Sequence, residues 1–214
     1  MTWISSGRLL LCRHGQTAFN ASLRFQGQLD EPLSELGREQ ARRLGDRLAG
    51  ERIDVAYTSD LCRAYETATL ALAGRPVPLH LDERLREVAF GRWEGLTFAE
   101  IKKRFPDDVA ARDHDRVNYA MPGGESLIQL ADRLRGFLED VLPRHGGQTI
   151  LVIAHGGTMN AAISTLLDMP LSSWWRLRNH NANVSMIHFT AHGPRLASFN
   201  DTCHLGETAQ LRWP

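Results

Sequence analysis

The stretch Leu9-Leu10-Leu11-Cys12-Arg13-His14-Gly15-Gln16-Thr17 joins an apolar run of strand length to an arginine, a histidine and a glycine. Its lack of polar alternation predicts a strand over Arg8 to Cys12 that is buried on both faces and central in its sheet. A strand that ends in a cation and an imidazole carries chemistry to its carboxyl edge, where open α/β sheets bind ligands. His14 is therefore a candidate nucleophile and Arg13 a candidate anion ligand. The long polar connection that follows, Arg13 to Leu33, is of a length that is often functional.

A second run of the same kind, Thr149 to Ala154, also ends in a histidine, His155-Gly156-Gly157. Between the two lies a strand and helix rhythm. A helix is expected from Ser34 as N-cap, with Gly37, Ala41, Leu44 and Leu48 on one face. A strand over Ile53 to Thr58, a helix over Leu61 to Ala73 and a short strand over Val77 to Leu81 follow. This order argues for parallel pairing through right-handed crossovers. Thr97-Phe98-Ala99-Glu100 reads as a capping box whose helix ends before Pro106, and Pro106 to Gly124 shows no clear period. Ser126-Leu127-Ile128-Gln129 opens the helix with the cleanest apolar period in the chain. A short helix over Leu171 to Arg178 and a late hairpin from Val184 to Phe199 complete the pattern. The expected fold is a three-layer α/β/α sandwich with a mostly parallel central sheet. It forms a single domain over 1–214, with a lid-like insertion at about 92–124.

Composition excludes several classes of function. Lys+Arg and Asp+Glu balance at 25 each, so no global field favours nucleic acid or a membrane surface. No apolar run reaches membrane-spanning length, and no basic region leads into an apolar one as a signal peptide requires. The three cysteines, Cys12, Cys62 and Cys203, are too widely spaced for a disulfide framework, which points to a reducing cytoplasm. Oligomeric state is open: Trp174, Trp175 and the late strands suit either a homodimer interface or the core.

If both His-Gly strands lie in one parallel sheet, the two imidazoles converge. Arg63 then joins them one turn into the helix after Thr58-Ser59. Two arginines, two histidines and helix N-termini suit a phosphoryl group: guanidinium forks bind its oxygens in pairs, and an imidazole can attack phosphorus. Taken singly, each residue has a plainer reading, a turn histidine or a salt-bridging helix arginine. The chemistry also needs a proton donor for the leaving oxygen. Glu87, in the apolar, glycine-punctuated loop Leu85 to Gly95, competes for that role with Glu83 and Glu94, and spacing does not separate the three.

Arg13-His14-Gly15-Gln16-Thr17, then Asn20, Arg24, Gln26-Gly27, Asp30 to Ser34 and Gly37, resemble the signature of the histidine phosphatases, the phosphoglycerate-mutase-like superfamily. The likeness continues through Ser59 to Ala64, Thr67-Ala68, Glu87, Phe90-Gly91, Trp93-Glu94-Gly95, Gly123 to Ser126, His155-Gly156-Gly157 and Asn200-Asp201, in family order. The resemblance implies that His14 becomes a phosphohistidine while Arg13, Arg63 and His155 hold the phosphoryl oxygens. It implies that Glu87 protonates the leaving group and then activates water. Asn20, Gln26, Gly27 and Gly156 match phosphate-pocket positions. No metal and no other cofactor is implied, and the partner is a small phosphorylated metabolite.

Within that family the segment Arg104 to Tyr119 lacks the adjacent arginines of bisphosphoglycerate-dependent mutases and carries only dispersed Arg112 and Arg116. The sequence resembles the broad-specificity and α-ribazole phosphatase branch, so hydrolysis is expected over mutase activity. A catalytically silent binding module would lack His14, Arg13, Arg63 or His155, and all are present. A Cys-based phosphatase needs Cys-x5-Arg, but Ala18 and Ala68 stand where the arginine should. His114, His180, His188 and His192 lack metal-ligand spacing. The aromatics Phe98, Phe105 and Tyr119 are expected to pack the insertion.

Overall fold

A computed structural model describes residues 3–209; residues 1 and 2 of the expected N-terminal tail lie outside them. The polypeptide runs β1 (Gly7–Arg13), α1 (Ala18–Ala21), α2 (Glu35–Leu48), β2 (Val55–Thr58), α3 (Cys62–Ala71) and β3 (Leu79–Leu81). It continues through α4 (Phe98–Arg104), α5 (Pro106–His114), α6 (Leu127–Val141), β4 (Thr149–Ala154), α7 (Gly156–Leu166), β5 (Val184–Thr190) and β6 (Gly193–Asp201). One six-stranded sheet has the order β3-β2-β4-β1-β5-β6. β3, β2, β4 and β1 pair in parallel, whereas β5 and β6 add an antiparallel edge. β1 and β4 are thus the central pair, and their near-continuous apolar runs are buried on both faces.

Helices cover both faces. On one side α6 and α7 pack Leu130, Leu134, Phe137, Leu138, Met159 and Ile163 against Leu9, Leu11, Ile150 and Val152. On the other, α2 and α3 bring Leu44, Leu48, Ala64 and Ala68 to Leu10, Cys12, Leu151 and Ile153. Burying a side chain of this size is worth about 1.5–3 kcal/mol, so the two layers supply most of the force that holds the sheet. Ser34 caps α2 by accepting from Gly37 N at 3.1 Å, and the box at Ser126 and Gln129 closes the start of α6. The loop after β1 lies backbone to backbone on α2. A Cβ on Gly15 would stand 2.3 Å from Gly37 O and one on Gly37 2.0 Å from Gln16 O, which is why glycine occupies both positions.

The segment between Gly91 and Gly124 departs from the expectation of an aperiodic stretch after Pro106. Pro106 instead occupies the first turn of α5, where a missing N–H costs nothing, and Asp107 and Asp108 favour the same helix end. The weak apolar period arises because α5 does not face the main core. With α4 it forms a small separate core around Trp93, Ile101 and Met121, against which Phe25, Phe90, Phe105 and Tyr119 pack. Asp108 ties this unit together by accepting from Arg92 Nε at 2.7 Å, Trp93 Nε1 at 3.2 Å and Tyr119 Oη at 2.9 Å. No helix among the described residues is long and apolar enough to cross a membrane.

Candidate active site

β1 and β4 pair in parallel with Arg13 opposite Ala154, so His14 and His155 leave the sheet side by side at its carboxyl edge. Their ring centroids are 5.0 Å apart, and both side chains are buried. His14 Nδ1 lies 2.6 Å from Gly15 O. A carbonyl only accepts, so Nδ1 carries the proton and Nε2 keeps its lone pair. At His155 the tautomer is reversed: Nδ1 accepts from Arg63 Nε at 3.2 Å, which puts the proton on Nε2. Burial, reinforced by the charges of Arg63 and other neighbours, holds both imidazoles well below the ordinary histidine range, so both are neutral at pH 7.

Arg63, in the first turn of α3, is fully buried and gripped from three sides. Besides its bond to His155, it donates to Leu29 O at 2.8 Å and to Gly27 O at 2.7 Å. Burial lowers its pKa to about 10, which still leaves a cation at neutral pH. Each terminal nitrogen retains a second N–H. Arg13 donates from Nη1 to Asn179 O at 2.8 Å, and its guanidinium lies beside Gly156. Gln26 Oε1 accepts from Thr17 Oγ1 at 2.9 Å, which orients the amide nitrogen away from that bond. Asn20 Oδ1 accepts from Thr17 N and Asn181 Nδ2, so its amide group also remains available to donate.

Arg13 Nε, Gln26 Nε2 and His155 Nε2 are buried donors without a hydrogen-bond partner among the described residues. Leaving such a group unsatisfied costs about 1–3 kcal/mol, so three around one imidazole mark a receptor for an acceptor-rich ligand. Arg13 and Gln26 border a cleft of about 440 Å³ that is lined also by His14, Asn20, Gly27, Arg63, Glu87 and Gly156. The structure thus brings together every residue expected at the site, with His155 immediately behind His14.

It also separates the three carboxylates. Glu87 reaches the cleft and accepts from Gly157 N at 3.1 Å and Thr158 N at 3.2 Å, the first turn of α7. A Cβ on Gly157 would stand 2.6 Å from Glu87 Oε1, so only glycine admits the carboxylate there. Glu94 is spent on Gln28 N and Phe90 N, both at 3.0 Å, and Glu83 is exposed.

An asparagine network behind the cleft escaped the reading of the sequence. Asn183 Oδ1 accepts from Arg13 N at 3.2 Å, and its amide donates to Asn179 Oδ1 and Asn200 Oδ1. Asn181 Nδ2 donates to His14 O at 3.1 Å, and Asn179 in turn donates to Asn160 Oδ1. The backbone of Arg13 and His14 is thereby held from the loop before β5. The alternation Asn179-His180-Asn181-Ala182-Asn183 was the available signal. Trp174 and Trp175, left open between core and interface, line the outer cleft, as do Phe25, Phe90 and Arg112.

Among the described residues no three His, Cys, Asp or Glu side chains are grouped to hold a metal ion. The arrangement is instead a neutral imidazole with a free lone pair, two guanidiniums, orphaned N–H donors and one carboxylate.

Comparison with known proteins identifies a family. Residues 9–202 match the family model described as the histidine phosphatase superfamily (branch 1). Phosphoserine phosphatase 1 of Hydrogenobacter thermophilus is 36% identical over 200 residues, covering 94% of this chain and 95% of that protein. Glucosyl-3-phosphoglycerate phosphatase of Mycolicibacterium vanbaalenii is 37% identical over 194 residues, covering 86% and 84%. The solved structure of Bacillus stearothermophilus YhfR superposes with a TM-score of 0.85 at 34% identity, covering 94% of this chain and 100% of that one.

Proposed function

The chain belongs to the histidine phosphatase superfamily (branch 1), and from that membership and the geometry of its cleft we propose a metal-independent phosphomonoesterase that works through His14. The observation that carries this reading is the set of buried, unpartnered donors, Arg13 Nε, Gln26 Nε2 and His155 Nε2, around an imidazole whose Nδ1–H is already committed.

In the first step the lone pair of His14 Nε2 attacks phosphorus and the bond to the leaving alkoxide oxygen breaks. Glu87 delivers a proton to that oxygen. Arg13, Arg63, Gln26 and His155 Nε2–H take the charge that develops on the equatorial oxygens, as preorganised donors. The Gly15 carbonyl holds Nδ1–H and stabilises the positive charge that builds on the ring as the P–N bond forms. In the second step Glu87, now ionised, takes a proton from water, hydroxide oxygen attacks phosphorus, and the P–N bond breaks to return His14 and inorganic phosphate.

The substrates are small phosphorylated metabolites, and the relatives' names, phosphoserine in one case and a glucosylated phosphoglycerate in another, support that class. Balanced charge and three cysteines outside any disulfide support a cytoplasmic setting without nucleic acid as partner. The test is hydrolysis of p-nitrophenyl phosphate. Expected are turnover without added metal, no loss on chelation, and a fall of at least about a thousandfold in His14→Ala. An unchanged rate in that variant would sink the mechanism.

A further inference from the structure

Glu87 carries the proton in the proposed reaction, yet it stands where the chain has little regular support. Residues 86–90 belong to neither helix nor strand, so no ladder of backbone bonds fixes them. The first turn of α7 holds the carboxylate end. The backbone end is held largely by one side chain from α6. Arg133 donates from Nη1 to Arg84 O at 2.6 Å and from Nη2 to Glu87 O at 3.0 Å. Gln28 Nε2 adds a second bond to Glu87 O at 3.1 Å.

Arg133 is itself locked by Glu125. Oε2 of that carboxylate accepts from Arg133 Nε at 3.0 Å, and Oε1 accepts from Nη2 at 2.6 Å. The same Oε1 accepts from Ala89 N at 3.0 Å, while Glu125 N donates to Ala89 O at 2.9 Å. The pair thus grips the backbone at Arg84, Glu87 and Ala89, on both sides of the acid. Neither Arg133 nor Glu125 lines the cleft. Pairing with Glu125 alone would balance the charge of Arg133; the two carbonyl bonds are what tie it to Glu87. Only a planar fork reaches both carbonyls and both carboxylate oxygens at once, and an ammonium does not.

We propose that Arg133, locked by Glu125, is a positioning residue for Glu87: it sets the place from which the carboxyl group hands its proton to the leaving oxygen. The inference rests on the reading of Glu87 as the proton donor. A displacement of 1 Å at such a group costs about a hundredfold in rate, so the backbone anchor matters to the chemical step without touching substrate.

The experiment compares phenyl phosphate with p-nitrophenyl phosphate in single turnover, with enzyme in excess, so that phenol release is read before the phosphoenzyme breaks down. The two esters share a ring and differ chiefly in how much the leaving oxygen needs a proton. Arg133→Gln should slow release from phenyl phosphate about tenfold to a hundredfold, and from p-nitrophenyl phosphate no more than about threefold. In a Glu87→Gln background the same substitution should slow phenyl phosphate no further, because the group it positions is gone. Arg133→Lys keeps the charge but loses the fork. It should show the same asymmetry, and it carries the test where Arg133→Gln does not fold. Equal slowing of both esters, or an equal loss with and without the Glu87 carboxylate, would mean that Arg133 only supports the fold, and the proposal falls. Wild-type rates in Arg133→Lys would also sink it. If Glu87→Gln alone slows both esters equally, the underlying reading of Glu87 fails and takes this inference with it; if Glu87→Gln shows the asymmetry and the Arg133 variants do not, only this inference fails.

Discussion

At the scale of single residues, the site depends on which nitrogen of each imidazole holds its proton. Gly15 O fixes His14 with Nδ1–H, and Arg63 Nε fixes His155 with Nε2–H. Nitrogen-15 spectra of the imidazoles should therefore show two neutral rings of opposite tautomer at pH 6, where a free histidine is largely protonated. A protonated His14 at that pH would leave no lone pair for attack. Because burial holds both folded values below the ordinary histidine value of about 6.5, the unfolded chain binds more protons than the folded one as pH falls below it. The contribution of the pair to stability is thus complete above that pH and is lost progressively on acidification.

Glu87 gives a second prediction at this scale. Glu87→Gln removes the proton for the leaving oxygen, so alkyl phosphates should slow by about 10²–10⁴-fold. A p-nitrophenolate departs without much help, so its release should suffer less and phosphoenzyme should accumulate. Equal slowing of aryl and alkyl ester cleavage in a single turnover, before the phosphoenzyme breaks down, would remove Glu87 from the first step.

At the scale of elements, the site is assembled by ends of strands and first turns of helices. β1 and β4 deliver the histidines, α3 delivers Arg63, and α7 presents Gly157 N and Thr158 N to Glu87. The placement of the two histidines was readable from the apolar runs and the His-Gly endings, because a buried central strand has a strong hydrophobic signature. α5 was not readable. Its buried side goes to a local core around Trp93, and its anchoring residue is the acidic Asp108. Hydrophobic periodicity cannot register an element held by a buried carboxylate. Asp108→Ala should leave Trp93 Nε1, Tyr119 Oη and Arg92 unpaired together. The expected cost is about 1–3 kcal/mol, read as a lowered urea midpoint. A midpoint equal to wild type would show that the segment is held by its aromatics alone.

At the scale of the whole molecule, one sheet edge gathers residues from positions 13 to 183. The polar loop before β5 is as much a part of that edge as the strands are. Asn183 and Asn181 clamp the backbone of Arg13 and His14, yet asparagines carry no hydrophobic signal and make their contacts across the fold. The choice among Glu83, Glu87 and Glu94 likewise needed the fold, since it turns on which carboxylate reaches the first turn of α7. The fold and the convergence of the candidate histidines and arginines were legible because they rest on local pattern and motif. The outer cleft was not, because its lining is drawn from separate loops.

The central claim is a covalent phosphoryl group on His14. Rapid quenching of the enzyme with phosphorus-32-labelled substrate, followed by digestion and mapping, tests it directly. The expected result is one acid-labile, alkali-stable phosphoramidate per chain, located on His14 and absent from His14→Ala. Label on any other residue, or full turnover with no labelled enzyme at any time point, would contradict it.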